Sequence, residues 1–195
     1  MIDAKSKLKI LDPKIRENIS KLMREIENNI DYLYELAITD EKTGLYNHKF
    51  FKTISEMELD KAKRGLEPLS LFMMDLDNFK KLNDTYGHLV GDDVLKRLAK
   101  ILKKETRKYD LISRFGGEEF IIILPNTDVK RAKVVCNRLR IKVQNDKIMK
   151  KYGTTMSGGL TTYKKGDNIR KMQLRADKAV YLAKKLGKNR VEVIV

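Results

Sequence analysis

Apolar side chains recur at heptad spacing through the first 39 residues of the chain. The stripe consists of Ile15, Ile19, Leu22, Ile26, Leu33 and Leu36, together with the polar Asn29, and the intervals along it are 4, 3, 4, 3, 4 and 3 residues. A stripe this narrow predicts a helix that pairs with a second copy of itself in a parallel coiled coil, with Asn29 as a polar member of the seam. An amphipathic helix that lies on its own domain is the alternative interpretation.

After residue 40, helical and extended periodicities alternate along the chain. The pattern predicts helices at 48–64, 78–84, 91–102, 128–143 and 168–186, and strands at 69–74, 110–115, 118–124, 152–163 and 190–195. Asn47 is the expected N-cap of the first of these helices. Alternation of this kind, with a hairpin in the middle, indicates an antiparallel or mixed sheet on which the helices pack.

The central hairpin has paired glycines, Gly116 and Gly117, between two apolar runs, which is the signal of a tight turn. Two acids, Glu118 and Glu119, follow directly and enter a hydrophobic strand, where a turn has no need of them. Because alternate residues of a strand point to opposite faces, these two carboxylates are expected to face in opposite directions. One of them is then free to line a site.

A second pair of acids, Asp75 and Asp77, stands at the end of the apolar strand at residues 69–74. If this strand and the hairpin are neighbours in one sheet, their carboxylates lie close together. Such carboxylates in a basic surround suit Mg²⁺ and a nucleotide triphosphate, because Mg²⁺ takes oxygen ligands from one or two carboxylates and from substrate phosphates. Asp75 fits this metal role, whereas Asp77 is better explained as the N-cap of the helix that follows.

The composition narrows the choice of partners. Of 195 residues, 42 are Lys or Arg and 27 are Asp or Glu, which gives a net charge of +15. This balance favours a polyanionic partner, although lysine-rich surfaces also serve solubility and occur in heat-adapted proteins. The single cysteine, Cys136, excludes a disulfide framework, and zinc-ligand spacing is absent. The sequence contains no P-loop pattern, no run of 18 apolar residues and no signal peptide.

Three stretches resemble motifs of the GGDEF-type diguanylate cyclase domain. Residues 40–47 are similar to its N-terminal motif, residues 75–92 match its second block without a gap, and residues 116–120 carry its signature turn in the Glu form. The resemblance divides the chain into an N-terminal signalling helix at 1–39 and a cyclase domain at 40–195. Two departures, Lys42 in place of the usual Leu and His48-Lys49 in place of an arginine pair, are expected to affect local packing more than catalysis.

The resemblance implies an α+β fold, with a mixed, mostly antiparallel five-stranded sheet that is flanked by helices and is similar to the palm of polymerases and nucleotidyl cyclases. It implies that Asp75 and Glu118 bind Mg²⁺, or Mn²⁺ in its place, with help from the backbone carbonyl of Leu76. Glu119 would be a further metal ligand or would help to deprotonate a ribose 3′-hydroxyl. The implied catalytic residues are therefore Asp75, Glu118 and Glu119.

The resemblance also implies a set of GTP-binding residues. Asn83 and Asp92 would read guanine, and a carboxylate suits this task because it can accept from both N1–H and N2–H₂, a donor pair that adenine lacks. Lys80 would contact the terminal phosphates. Lys184 and Lys188 match basic residues near the last turn, although the second position is commonly Arg, whose bidentate fork Lys lacks. Three more substrate contacts complete the set: Phe79, Gly116 and Gly117.

The implied reaction needs two copies of the domain, each with one bound GTP. The 3′-hydroxyl of each ribose attacks the α-phosphate of the other nucleotide, two pyrophosphates leave, and cyclic di-GMP forms. The heptad stripe would then serve to pair the domains in a homodimer. An upstream sensor domain is an expected partner. The expected location is the cytoplasm, either as a free protein or as the cytoplasmic part of a membrane protein.

Arg107 and Asp110 lie upstream of the signature turn at the spacing of the family's RxxD site, where the product cyclic di-GMP binds and inhibits. The resemblance implies that Arg107 contacts the guanine or phosphate of this inhibitor and Asp110 its base edge. An ordinary ion pair at a helix end is the alternative interpretation of these two residues.

Two functions of other classes are alternatives to the cyclase. A non-catalytic module would keep the fold and only sense GTP or cyclic di-GMP, but a degenerate signature turn would mark it and this turn is intact. A nucleic-acid-binding domain would fit the positive charge, but an aromatic stacking platform and a recognition-helix pattern are both missing. We therefore expect neither a nucleic acid nor a membrane partner for this chain.

Overall fold

The structure of the protein is a computed structural model that describes residues 12–65 and 67–195. The chain divides into two compact units, with the boundary between Ile38 and Thr39. In the first unit, helix α1 spans Pro13–Ile38; the part of the predicted helix at residues 1–11 lies outside the described residues. Several members of its apolar stripe each expose 48% or more of their surface: Ile15, Leu22, Ile26, Leu33 and Leu36.

The second unit contains six helices and five strands in its described residues. In chain order they are α2 (His48–Lys63), β1 (Leu69–Leu76), α3 (Phe79–Tyr86), α4 (His88–Glu105), β2 (Leu111–Gly116), β3 (Glu119–Pro125), α5 (Val129–Asn145), α6 (Lys147–Lys151), β4 (Met156–Thr162), α7 (Ile169–Lys185) and β5 (Val191–Val193). In the described part of the chain, none of the helices has the length and apolar character needed to cross a membrane.

The five strands form one mixed sheet in the order β2-β3-β1-β4-β5. All neighbours are antiparallel except β4 and β5, which run parallel. Strand β1 is buried along its whole length. Because it is the central strand, it pairs with β3 on one side and with β4 on the other as far as Asp75. The predicted α+β fold, with a mixed and mostly antiparallel sheet of five strands flanked by helices, is confirmed.

Alternation along β1 divides the core into two layers. Phe72 and Met74 pack in one layer with the apolar faces of α4 and α5, which include Leu98 and Leu139. Leu71 and Met73 pack in the other layer with residues of α2 and α7. Because side chains two residues apart share a face of a strand, Asp75 belongs to the side of the sheet that α7 covers.

Local signals explain most element boundaries. Asn47, Asp128 and Asn168 cap α2, α5 and α7 by accepting a hydrogen bond from a backbone N–H three residues on. The largest differences from the predicted starts are in α4 and β4. Helix α4 begins at His88 rather than Gly91, directly after Gly87 ends α3, and strand β4 begins at Met156 rather than Tyr152.

The late start of β4 has a local cause. The carboxylate of Asp146 accepts from the backbone N–H groups of Ile148 and Met149, at 3.0 and 3.3 Å, and thereby caps the short helix α6. Residues 147–151 are therefore helical, and Tyr152 and Gly153 form the turn that ends them. Asp146 is thus a capping residue that the predicted strand at 152–163 did not take into account.

Candidate active site

Strand register brings two acids together at one end of the sheet. In the antiparallel pair β1–β3, Asp75 lies directly opposite Glu119. One residue further on, the backbone N–H of Leu76 donates to the carbonyl of Glu118 at 3.4 Å. The expectation that the end of the first strand and the hairpin are neighbours is therefore confirmed, and we call Asp75, Glu118 and Glu119 the metal end of the site.

The hairpin turn differs from the prediction in one respect. Strand β3 begins at Glu119, so Glu118 belongs to the turn and does not take part in the alternation of side chains along the strand. Gly117 has a φ of 45°, a left-handed conformation that glycine adopts without strain. A Cβ on Gly117 would meet no atom within 4 Å, so the turn faces open space.

Arg114 braces this turn against the start of the domain. Its Nε and Nη2 donate to the carbonyl of Gly117 at 3.0 and 2.8 Å. Its Nη1 lies 3.2 Å from both carboxylate oxygens of Asp40, which also accepts from the backbone N–H and the hydroxyl of Thr43. The guanidinium thus joins the loop after residue 39 to the signature turn. This contact could not be predicted from the sequence, because its two residues are 74 positions apart and leave no local signal.

Burial and neighbouring acids both act on the carboxylates of the metal end. Asp75 is buried, and Lys184 on α7 lies 2.7 Å from its Oδ2, while its Oδ1 is buried without a hydrogen-bond partner. Burial raises the pKa of Asp75, and the Glu118 and Asp77 carboxylates add to the rise. Burial likewise raises the pKa of Glu119, with further contributions from Asp75 and Asp177.

These features fit a divalent cation that is completed by a substrate. Among the described residues, no group of three or more Asp, Glu, His or Cys side chains can enclose a metal ion. Mg²⁺ does not require one, since one or two carboxylates together with phosphate oxygens and water suffice. The unpartnered Oδ1 of Asp75 and the Glu118 carboxylate near it are the features that such an ion would satisfy.

Asp77 does not cap a helix, so the preferred prediction for it is wrong. Its carboxylate accepts from the hydroxyls of Thr155 and Ser157, at 2.6 and 2.7 Å, and from the backbone N–H of Asn189 at 3.1 Å. Asn78, with a φ of 60°, precedes α3 and makes no side-chain cap. Asp77 is 1% exposed and ties the end of β1 to the start of β4 and to the turn before β5.

The predicted guanine readers lie next to each other on α3 and α4. Gly91, the neighbour of Asp92, packs so closely on Asn83 that a Cβ there would lie 1.9 Å from Asn83 Oδ1. That oxygen is buried and has no hydrogen-bond partner. The carboxylate of Asp92 is half-buried and is paired with Lys42, whose ammonium holds the pKa of Asp92 below its usual range. We call Asn83, Asp92 and Lys42 the base end of the site.

The remaining predicted contacts differ in what they can offer a ligand. Lys80 is exposed in the first turn of α3. The side chain of Phe79 is buried in the core, so only its backbone is available. Lys188 is exposed and donates to Asn78 Oδ1 at 2.6 Å, while Lys184 pairs with Asp75. Both lysines thus lie near the end of β1.

Arg107 and Asp110 form a turn before β2 rather than an ion pair at a helix end. The carboxylate of Asp110 accepts from the backbone N–H of Arg107 at 2.8 Å, and its other oxygen is buried without a partner. Burial raises the pKa of Asp110. The exposed guanidinium of Arg107 lies over the ring of Tyr109, 5.8 Å from its centroid, which leaves its donors open to solvent.

Comparison with known proteins agrees with this geometry. Residues 37–190 match the family described as "Diguanylate cyclase, GGDEF domain". The chain is 41% identical over 187 residues to "Diguanylate cyclase A" of Treponema denticola, and 38% identical over 172 residues to "Response regulator PleD" of Caulobacter vibrioides. These matches cover 92% and 85% of this chain but only 50% and 38% of the two relatives.

The fold has a counterpart among solved structures. The coiled coil and GGDEF domain of DgcB from Caulobacter crescentus, solved in complex with c-di-GMP, superposes with a TM-score of 0.81 at 26% identity. The match covers 93% of this chain and 97% of that one. The similarity therefore extends over almost the whole of both chains.

Proposed function

The chain belongs to the GGDEF domain family of diguanylate cyclases, and on that premise we propose that it joins two GTP molecules into cyclic di-GMP with release of two pyrophosphates. The observation that carries the proposal is the meeting of Asp75 and Glu119 across β1 and β3, beside a signature turn that faces open space. The reaction belongs in the cytoplasm, where GTP is available. An upstream sensor domain would regulate it.

At the metal end, Asp75 and Glu118 would hold Mg²⁺ or Mn²⁺ together with the carbonyl of Leu76. When bound, the ion would neutralise charge that builds on the phosphoryl group in transfer. Glu119 would receive the proton of the 3′-hydroxyl, a role that its raised pKa supports. The freed 3′-oxygen forms a bond to the α-phosphorus of the other GTP, and the bond from that phosphorus to the pyrophosphate oxygen breaks.

At the base end, Asp92 would accept from N1–H and N2–H₂ of guanine, and Asn83 would contact the same base. The buried, unpartnered oxygen of Asn83 supports this assignment, because such an atom is costly unless a ligand satisfies it. Lys80, Lys184 and Lys188 would bind phosphate oxygens. The backbone of Phe79 and the bare backbone at Gly116 and Gly117 would let the nucleotide approach closely.

The reaction requires two domains, since each would hold one GTP and present it to the other. The exposed apolar stripe of α1 supports a homodimer, because apolar a and d positions gain stability when a second helix covers them. We assign residues 1–39 to the N-terminal signalling segment that carries this helix, and residues 40–195 to the catalytic domain. The isolated monomer would then be inactive.

One assay tests the proposal directly. The full chain is incubated with GTP and Mg²⁺, the product is identified by mass, and pyrophosphate is counted. Two pyrophosphates for each cyclic di-GMP are expected from a dimer. A folded dimer that binds GTP but releases no pyrophosphate would instead be a sensing module, and the catalytic assignment would be wrong.

We further propose that cyclic di-GMP inhibits the enzyme by binding at Arg107 and Asp110. The open guanidinium of Arg107 and the unpartnered oxygen of Asp110 support this site. Arg107→Ala should raise the product concentration that halves the initial rate about tenfold or more, while the uninhibited rate stays the same. Lys108→Ala, at the exposed neighbouring residue, is the control. Unchanged inhibition in Arg107→Ala would reject the feedback site.

A further inference from the structure

The guanine-reading carboxylate already has a cationic partner from within the chain. Lys42 Nζ lies 2.7 Å from Oδ1 and 2.9 Å from Oδ2 of Asp92, so one ammonium engages both oxygens. The lysine side chain is 50% exposed, and that of Asp92 is 28% exposed. Lys42 comes from the loop after residue 39, fifty positions away in sequence, and the pair therefore joins two separate segments.

This contact uses the same edge of the carboxylate that guanine needs. A base that donates from N1–H and N2–H₂ approaches in the carboxylate plane, with one donor for each oxygen. An ammonium within hydrogen-bond distance of both oxygens lies between them, along the same approach. Guanine and the ammonium of Lys42 cannot both hold this position, so the lysine has to give up at least one oxygen when the base arrives.

We propose that Lys42 is a built-in competitor for guanine at Asp92, and that it thereby sets both the affinity for GTP and the preference for guanine over adenine. The proposal rests on the proposed role of Asp92 as guanine reader. Adenine has no donor pair for Asp92, so its binding does not require that Lys42 be displaced. The lysine therefore weakens guanine binding selectively and narrows the discrimination between the two bases.

The loop that carries Lys42 is well anchored, so the competition is a fixed property of the fold. Asp40 accepts from the backbone N–H of Thr43 at 2.9 Å, and Lys103 donates to the carbonyl of Gly44 at 2.6 Å. The backbone N–H of Gly44 also donates to the carbonyl of Asp40 at 2.7 Å, so the backbone is held on both sides of Lys42. Only the flexible side chain has to move for guanine to reach Asp92.

The test measures binding in the absence of turnover. GTP and ATP analogues in which a methylene replaces the α–β bridging oxygen cannot release pyrophosphate, so their dissociation constants report base recognition alone. Lys42→Met removes the ammonium and keeps an unbranched apolar side chain, whereas Lys42→Arg keeps a cation that can bind both carboxylate oxygens of Asp92. The control is Lys63→Met, which removes the same charge from a lysine that is 47% exposed and paired with Asp60 on α2.

Lys42→Met should bind the GTP analogue about two- to fivefold more tightly than the wild type, which is the range expected for loss of an exposed ion pair. Binding of the ATP analogue should not tighten, and Lys63→Met should leave the ratio of the two constants unchanged. Lys42→Arg should bind the GTP analogue no more tightly than the wild type. Added salt should raise the guanine preference of the wild type but not that of Lys42→Met, because screening weakens the ion pair.

Three results would overturn the inference. If Lys42→Met binds the GTP analogue as the wild type does, or more weakly, or if both analogues change in parallel, Lys42 does not compete for Asp92. These outcomes leave the proposed reaction intact as long as the wild type still forms cyclic di-GMP. A folded wild type that binds neither analogue and forms no product would overturn the proposed function itself, and this inference with it.

Discussion

The two ends of the candidate site are built in different ways. At the metal end, Asp75 and Glu119 lie opposite each other on central strands, so backbone hydrogen bonds fix their separation. At the base end, Asn83 and Asp92 are carried by consecutive helices, and a loop lysine holds the carboxylate of Asp92. The backbone hydrogen bonds of the sheet therefore set the positions of the carboxylates at the metal end. At the base end, contacts between side chains set the position of the Asp92 carboxylate.

This difference predicts how the two ends respond to substitution. Replacing one polar side chain by another at the metal end leaves the strand register intact, so such a substitution should lower kcat. An exchange at the base end changes which groups are paired, so its effect should fall on binding and on selectivity.

Glu118→Gln should abolish product formation at the metal end. The amide keeps the shape of the side chain but removes the charge that would hold the metal, so kcat should fall at least about 10³-fold, or about 4 kcal/mol of transition-state stabilisation. Pyrophosphate release measures the loss. Glu56→Gln, at an exposed residue of α2, is the matched control. A variant of Glu118 that keeps more than a tenth of the activity would exclude this residue from metal binding.

Asp92→Asn should act at the base end with a smaller effect and in a different way. The amide offers one acceptor oxygen and opposes guanine with its own N–H₂ group, so kcat/KM for GTP should fall about tenfold to hundredfold and the preference over ATP should narrow. Competition between the two nucleotides in one assay gives the preference. Asp93→Asn, on the next residue of the same helix and exposed, should change neither quantity. If the preference for GTP survives in Asp92→Asn, Asp92 does not read the base.

Asp77→Asn tests whether the hydrogen bonds of Asp77, in addition to the strand pairing, stabilise the end of β1 at the metal end. An amide cannot accept all the hydrogen bonds that Thr155, Ser157 and Asn189 donate, so the free energy of unfolding should fall by about 1–3 kcal/mol. The rate should fall only a few-fold where the variant is still folded. Thermal unfolding and kcat at low temperature separate the two effects. Asp84→Asn, exposed on α3, is the control, and a stability equal to it would show that Asp77 anchors nothing.

The difference between the metal end and the base end also explains which contacts could be predicted from the sequence. Paired glycines between apolar runs and acids at a strand end are local signals, so the hairpin, the five strands and the meeting of Asp75 with the turn could be predicted. The partners of Asp77 and Asp92 are far away in sequence and could not be, because a carboxylate binds whichever donors the fold brings to it. The sequence alone therefore predicts a helix cap at Asp77 and a local packing role for Lys42.

The contacts that Arg114 makes with Gly117 and Asp40 matter when this domain is fused to a different sensor domain. The signature turn is secured through Arg114 to Asp40, which stands only two residues past the end of α1. A fusion joint made before Thr39 keeps the contact between Arg114 and Asp40, whereas a joint a few residues later removes it while every proposed catalytic residue is retained. Such a chimera would contain all the proposed active-site side chains, but Arg114 would no longer link its signature turn to Asp40.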